Sequence, residues 1–144
     1  MKYTCEVLIN KPRSEVIDLF DSVDNLYKWQ DGLKSFDILE GTKGQDGLKS
    51  RMVYANNGKE MVMTETIEKF NFPDQMIAIY EANNVWNRCD NKFVDQGDKT
   101  LWIMETEFVC SGFMRLITFF GKKAFINKTS EDMNAFKRFA ERQR

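Results

Sequence analysis

Glu65 is the side chain in this sequence with the most chemistry to offer. It sits in the run Met61-Val-Met-Thr-Glu-Thr-Ile67, where every second residue from Met61 is otherwise apolar. Read as a strand, that run places a carboxyl group on an apolar face, which costs several kcal/mol unless the group is hydrogen-bonded or protonated. Such a group either orients a bound molecule or works as an acid or base with a shifted pKa. Tyr80 is the second candidate for catalysis, because register places it beside Glu65. Other chemistries are excluded. The 144 residues contain no histidine, so Ser-His-Asp and Cys-His catalysis are ruled out. Cys5, Cys89 and Cys110 are far apart and form no CxxC pair, so neither a metal nor a cofactor is expected.

The elements that must position these residues are legible from period and turn signals. Residues 3 to 9 read as a strand. Lys11-Pro12 opens a helix, with proline in the first helical position, and Val16, Leu19, Phe20 and Val23 follow at helical spacing. Asp24 is the expected N-cap of a second short helix carrying Leu26, Tyr27 and Trp29. From Leu33 to Cys110 the period becomes two, with six strands near 33 to 42, 47 to 56, 59 to 70, 75 to 83, 84 to 94 and 99 to 110. Residues from Phe113 to about Arg142 read as a helix whose apolar stripe changes phase near Gly121, which predicts a kink or break there.

The turns also predict register. A two-residue turn at Asn57-Gly58 pairs Tyr54 with Met61, Met52 with Met63 and Ser50 with Glu65. A four-residue loop at 71 to 74 pairs Phe70 with Gln75, Ile67 with Ala78 and Glu65 with Tyr80. A turn at Asn83-Asn84 pairs Tyr80 with Asn87 and Ala78 with Cys89. A four-residue loop at 95 to 98 pairs Asn91 with Trp102, Cys89 with Met104 and Asn87 with Thr106. Opposed residues share a face. One face therefore collects Met52, Tyr54, Met61, Met63, Ile67, Ala78, Tyr80, Cys89, Phe93, Trp102, Met104 and Phe108. The other collects the charged residues, among them Arg51, Glu68, Arg88, Lys92 and Glu105. One row on the apolar face is polar: Ser50, Glu65, Tyr80, Asn87 and Thr106, with Asn91 further along. That row is the polar end of a ligand cavity, a closed structural network, or the mark of a bulge that turns Glu65 outward.

Apolar residues make up 42% and charged residues 30% of the chain, the balance of a globular protein of one domain, residues 1–144. The net charge of −1 conceals a basic C-terminal stretch, +5 over residues 115 to 144. It reads as the solvated face of a helix rather than a nucleic-acid surface, because nucleic-acid binders usually carry a clearly basic domain. No run approaches the length of a membrane span, so stable membrane insertion is not expected. The odd cysteine count and the lack of an apolar leader point to the reducing cytoplasm.

Several stretches, in order, resemble the START-like (SRPBCC) superfamily in its polyketide cyclase/dehydrase-like branch. They are Pro12-Arg-Ser-Glu-Val-Ile-Asp-Leu-Phe20 with Asp24 to Trp29, Gly47-Leu-Lys-Ser-Arg51 with Asn57-Gly58, Phe72-Pro73, and Phe136-Lys-Arg-Phe-Ala-Glu141. The resemblance covers essentially the whole chain. It implies an α+β helix-grip fold: a curved seven-stranded antiparallel sheet wrapped around a long C-terminal helix, with two short helices between strands 1 and 2. It also implies a cavity for a lipid- or polyketide-like molecule. That branch has no universal catalytic motif, so no catalytic residue is carried over.

The leading expectation is a binding or transport protein for a small apolar ligand. Met52, Met63, Tyr80, Trp102, Met104 and Phe108 would form the walls, and Trp29 and Phe120 the entrance. Tyr54, Glu65, Asn87, Asn91 and Thr106 would supply polar contacts. Alternatives are a cyclase, dehydratase or hydrolase using Glu65 or Tyr80, and a protein-interaction module using the groove. A homodimer is compatible with each. The strands offer Glu65 no second ionisable partner, which favours carriage over acid–base catalysis.

Overall fold

The computed structural model describes the backbone of residues 1–112 and 114–144, and the side chains of 1–112 and 121–144. The chain runs β1 Lys2–Ile9, α1 Arg13–Phe20, α2 Val23–Trp29, β2 Leu33–Glu40, β3 Lys49–Asn56, β4 Lys59–Asn71, β5 Gln75–Ala82, β6 Val85–Gln96, β7 Lys99–Cys110 and α3 Met114–Arg142. The strands form one sheet in the order β1-β7-β6-β5-β4-β3-β2, antiparallel throughout. Consecutive hairpins build β2 to β7, and β1 returns to the far edge beside β7. This is the expected α+β architecture.

Local chemistry explains the element ends and corrects three expectations. Pro12 is the N-cap of α1, with extended ψ of 151°, and not its first helical residue. Ser22, not Asp24, caps α2: its Oγ accepts from the Asn25 N–H at 3.2 Å. Asp24 sits in the first turn, where its charge suits the positive end of the helix dipole. The break expected near Gly121 is not found, because α3 runs through it as one helix of 29 residues. A glycine in a helix costs about 1 kcal/mol, which a helix so long absorbs.

The hairpin registers hold for β3–β4 and β5–β6. Asn57 and Gly58 both adopt positive φ, 52° and 78°, as the tight turn between β3 and β4 requires. Two other details differ. Between β4 and β5 the pairs at the tip are Phe70 with Met76 and Asn71 with Gln75, while Ile67 still faces Ala78 and Glu65 faces Tyr80. A bulge at Glu68 absorbs the difference. It turns Lys69 away from the apolar face and brings Phe70 onto it beside Phe72. Between β6 and β7 the loop has two residues, Gly97-Asp98, not four, so Gln96 pairs with Lys99. Gly97 takes φ of 75°, and its N–H is held by Asp95 Oδ1 at 2.9 Å. Asn91 therefore faces Met104, Cys89 faces Thr106 and Asn87 faces Phe108. The offset is two residues, so every side chain keeps its face.

The main core lies where α1 and α3 meet the β1–β7–β6 side of the sheet. Met133, Phe136, Phe139 and Ala140 of α3 are buried against Cys5, Ile9, Phe93 and Trp102, with Ile126 at the margin. Phe20 lies at its centre in edge-to-face contact with three rings, its centroid 5.1 Å from Phe93, 5.3 Å from Trp102 and 5.5 Å from Phe136. A smaller cluster of Leu48, Ile67, Met76 and Ala78 continues the apolar face. On the convex face Arg88 grips Glu68 with two hydrogen bonds, 3.1 and 2.7 Å, and Lys92 pairs with Glu105.

Candidate functional site

The polar row forms across β3, β4, β5 and β6, with Ser50, Glu65, Tyr80 and Asn87 in successive opposition. Glu65 is 9% exposed and faces the concave side, so it does not turn outward. Desolvation raises its pKa above the usual carboxylate range, and a hydrogen bond from the Tyr80 hydroxyl pulls it partly back. Burial and the neighbouring Glu65 charge push Tyr80 far above the ordinary phenol. Ser50 Oγ is fully buried and has no hydrogen-bond partner. At the fifth strand the expected row changes: Phe108 stands opposite Asn87, and Thr106 lies two residues along, opposite Cys89. Thr106 Oγ1 is likewise buried without a partner. The Cys89 thiol leans on Asn87 Oδ1 at 3.6 Å, and burial raises its pKa to about 12, so it is a neutral apolar wall at physiological pH.

The other expected site residues divide into two groups. Asn91 and Trp102 belong to the packed core. Trp102 is 2% exposed, and its Nε1 donates to Asn91 Oδ1 at 3.0 Å, while Asn91 Nδ2 donates to the Met76 carbonyl at 3.2 Å. Their polar groups already serve each other. Met52 is buried, and Met63, Met104 and Phe108 are half-buried on the concave face. Phe108 sits between Tyr3 and Phe125, at ring distances of 6.1 and 4.8 Å. Tyr54 donates to Gln30 Oε1 just beyond α2, which ties β3 to that helix. Trp29 rests on Phe20 and Phe136, and its buried Nε1 has no partner. Phe120 lies outside the described side chains.

Three contributors were not found by reading the strands. Tyr3, on the edge strand, hydrogen-bonds Thr129 Oγ1 at 2.8 Å and joins β1 to α3. Gln30 holds Tyr54. Asp132 projects from α3, half-buried, with its carboxyl held by Lys128 at 2.7 Å and its pKa raised by desolvation. Its charge is felt by both Tyr3 and Tyr54, and that of Glu65 by Tyr54. The sequence signal for Asp132 is its helical spacing, seven residues after Phe125 and four before Phe136. Asp132 thus adds a second carboxyl group from the helix side, in addition to Glu65 on the sheet.

Coverage of the concave face is uneven. α3 makes its closest approaches to β1, through Tyr3 and Cys5. Toward β2, β3 and β4 the same face keeps Ile38 52% exposed and Met61 48% exposed. Two open clefts among the described residues lie elsewhere, one along Asn127, Glu131, Asn134 and Arg138, the other beside Arg13 and Asp74. Among the described residues no group of His, Cys, Asp and Glu is arranged to hold a metal ion, and no helix is long and apolar enough to cross a membrane.

No family model matches the sequence, and no curated protein does. Solved structures match over nearly the whole length. The Zhui aromatase/cyclase from Streptomyces sp. R1128 superposes with a TM-score of 0.81 at 15% identity, over 99% of this chain and 94% of that one. Ara h 8.0201 gives 0.79 at 12% identity, over 97% of both chains. A norcoclaurine synthase point mutant from Thalictrum flavum, in complex with a transition-state analogue, gives 0.72 at 10% identity, over 97% and 93%. At such identities the likeness is one of architecture. The antiparallel seven-stranded sheet, the paired short helices after β1 and the long closing helix give this chain the same helix-grip fold as those structures.

Proposed function

We propose that this protein binds a small, largely apolar molecule between the concave sheet face and α3, with the Ser50–Glu65–Tyr80 row at the polar end of the site. One observation carries the reading. Ser50 Oγ is buried on the concave face with no hydrogen-bond partner, directly opposite the buried Glu65 carboxyl group. Native proteins rarely leave buried polar atoms unpaired, and a ligand or its water supplies the missing partner. Met52, Met63, Met104 and Phe108 offer adaptable apolar walls, with Tyr54, Asn87 and Trp29 at the margins. Three free cysteines fit residence in the reducing cytoplasm. Native mass spectrometry of the protein as purified, with Nile red titration of the stripped protein, tests the proposal. A discrete co-purified mass or saturable dye binding that Met63→Trp blocks is the expected result. An empty protein that ignores the dye refutes it.

Catalysis is the second reading, and Asp132 favours it. Two carboxyl groups with raised pKa values, Glu65 on β4 and Asp132 on α3, both act on Tyr54, a combination suited to acid–base work. In an enzyme, Glu65→Gln abolishes turnover and leaves binding intact. In a carrier it changes affinity or ligand choice only.

A further inference from the structure

We infer that the molecule bound on the concave face carries an amine at the end that reaches Glu65, and that anionic molecules are rejected. This rests on the small-ligand reading above and adds the chemistry of the ligand's head group. Three groups able to accept stand side by side on adjacent strands: the Glu65 carboxyl on β4, the Ser50 hydroxyl opposite it on β3, and the Tyr80 hydroxyl opposite it on β5. Neighbouring strands lie roughly 4.8 Å apart, so a head group over Glu65 has the Ser50 hydroxyl on one side and the Tyr80 side chain on the other. A primary ammonium has three N–H donors and no acceptor, which matches that count. Ser50 is the independent sign of a missing donor, since its oxygen is fully buried and unpartnered.

The charges around the site point the same way. From the sheet it is faced by Glu65, Tyr80, Tyr54, Tyr3, Cys5 and Cys89, and from α3 by Asp132. Among the described residues the cation in contact with this set is Lys128, bound to Asp132 at 2.7 Å with a largely exposed side chain. The acid charges raise the pKa values of the groups between them: Glu65 acts on Tyr54, Tyr80 and Cys89, and Asp132 on Tyr3 and Tyr54. An ammonium beside Glu65 favours its charged form and pairs with it, and a carboxylate ligand adds a like charge where Coulomb terms are strong.

The test is calorimetric titration of the full chain with three probes that share one naphthalene body: 1-naphthylmethylamine, 1-naphthylmethanol and 1-naphthoate, at neutral pH. The amine should bind tighter than the alcohol by about tenfold or more, and the naphthoate weakest, as a buried charge-assisted hydrogen bond predicts. Glu65→Gln should bring the amine close to the alcohol's affinity and change the alcohol's affinity far less than the amine's. Ser50→Ala, which removes only an unpartnered hydroxyl, should weaken the amine selectively and serves if the Gln variant folds poorly. Equal affinity of amine and alcohol, or preference for naphthoate, overturns the amine inference while the apolar-ligand reading stands. Failure of all three to bind overturns both.

Discussion

Asn91→Ala tests whether the Asn91–Trp102 pair is a structural joint. Asn91 is 2% exposed and occupies both ends of its amide: it accepts from Trp102 Nε1 at 3.0 Å and donates to the Met76 carbonyl at 3.2 Å. Truncation to alanine leaves an indole N–H and a carbonyl in a dry core. A buried polar group stripped of its partner costs about 1–3 kcal/mol, so the two together cost about 2–6 kcal/mol. Near this chain length each kcal/mol lowers Tm by roughly 2–4 °C. Trp102→Phe removes the indole N–H and orphans only Asn91 Oδ1, so it should cost less at the polar contact. Urea unfolding of both single variants and the double variant closes the cycle, and a coupling of about 0.5–3 kcal/mol is expected for residues in direct contact. Nile red affinity of folded Asn91→Ala should stay within about threefold of the parent, since contacts already made to protein are not available to ligand. The reasoning is refuted if Asn91→Ala unfolds at the parent's urea concentration, or if the two substitutions are additive. Loss of dye binding without loss of stability would move Asn91 from the core to the ligand.

Met133→Asp should destabilise strongly, because Met133 is 1% exposed and an unpaired carboxylate there has no partner; a melt like the parent's would show that α3 does not pack on the sheet through that face. Burial raises the folded-state pKa of Glu65 above its ordinary 4.5, so the stability it confers is full below pH 4.5 and is lost as pH climbs through the folded value. Glu65→Gln removes that loss, so its stability relative to the parent should grow with pH, the raised Asp21 and Asp132 cancelling between the two proteins; parallel stability curves would contradict a buried Glu65. Cys110 should react with iodoacetamide well before Cys5 and Cys89, which are buried, the Cys89 thiol also being held near a pKa of about 12; alkylation of all three at one rate would contradict this burial.

Side-chain alternation and turn chemistry made the sheet readable. Asn57-Gly58 set the Ser50–Glu65 opposition directly, because a tight turn leaves one register. The β6–β7 loop was misjudged by two residues, yet Trp102, Met104 and Phe108 kept their face, since the strand period is two. Partners moved, however, so Thr106 left the row and Asn91 met Met104. The β4 bulge had a sequence trace: after Ile67, strict alternation would put Lys69 inside and Phe70 outside, and one inserted residue exchanges them. Asp132 was hidden for a different reason. The helical stripe runs through Ile126, Met133, Phe136 and Ala140, whereas Phe125 and Asp132 lie on its flank, and only docking of α3 against β1 turns that flank toward the site. The exchange of hydrogen bonds between Asn91 and Trp102 was equally beyond local pattern, because rotamers decide it.

The division of the concave face explains why one sequence carries both many aromatics and many methionines. Phe20, Trp29, Phe93, Trp102 and Phe136 interlock where α1 and α3 meet β6 and β7, with ring spacings between 5.1 and 6.5 Å. Edge-to-face pairs add about 0.5–1.5 kcal/mol each beyond burial, so this end is stiff as well as stable. Toward β3 and β4 the lining changes to Met52, Met61 and Met63, flexible side chains that refill a space as its contents change. A rigid end holds α3 in place, and that allows the methionine-lined end to leave Ile38 and Met61 exposed and Ser50 unpartnered without collapse of the sheet onto the helix. The same division predicts where substitutions separate stability from binding: at Phe136 they should cost stability first, and at Met63 they should cost binding first.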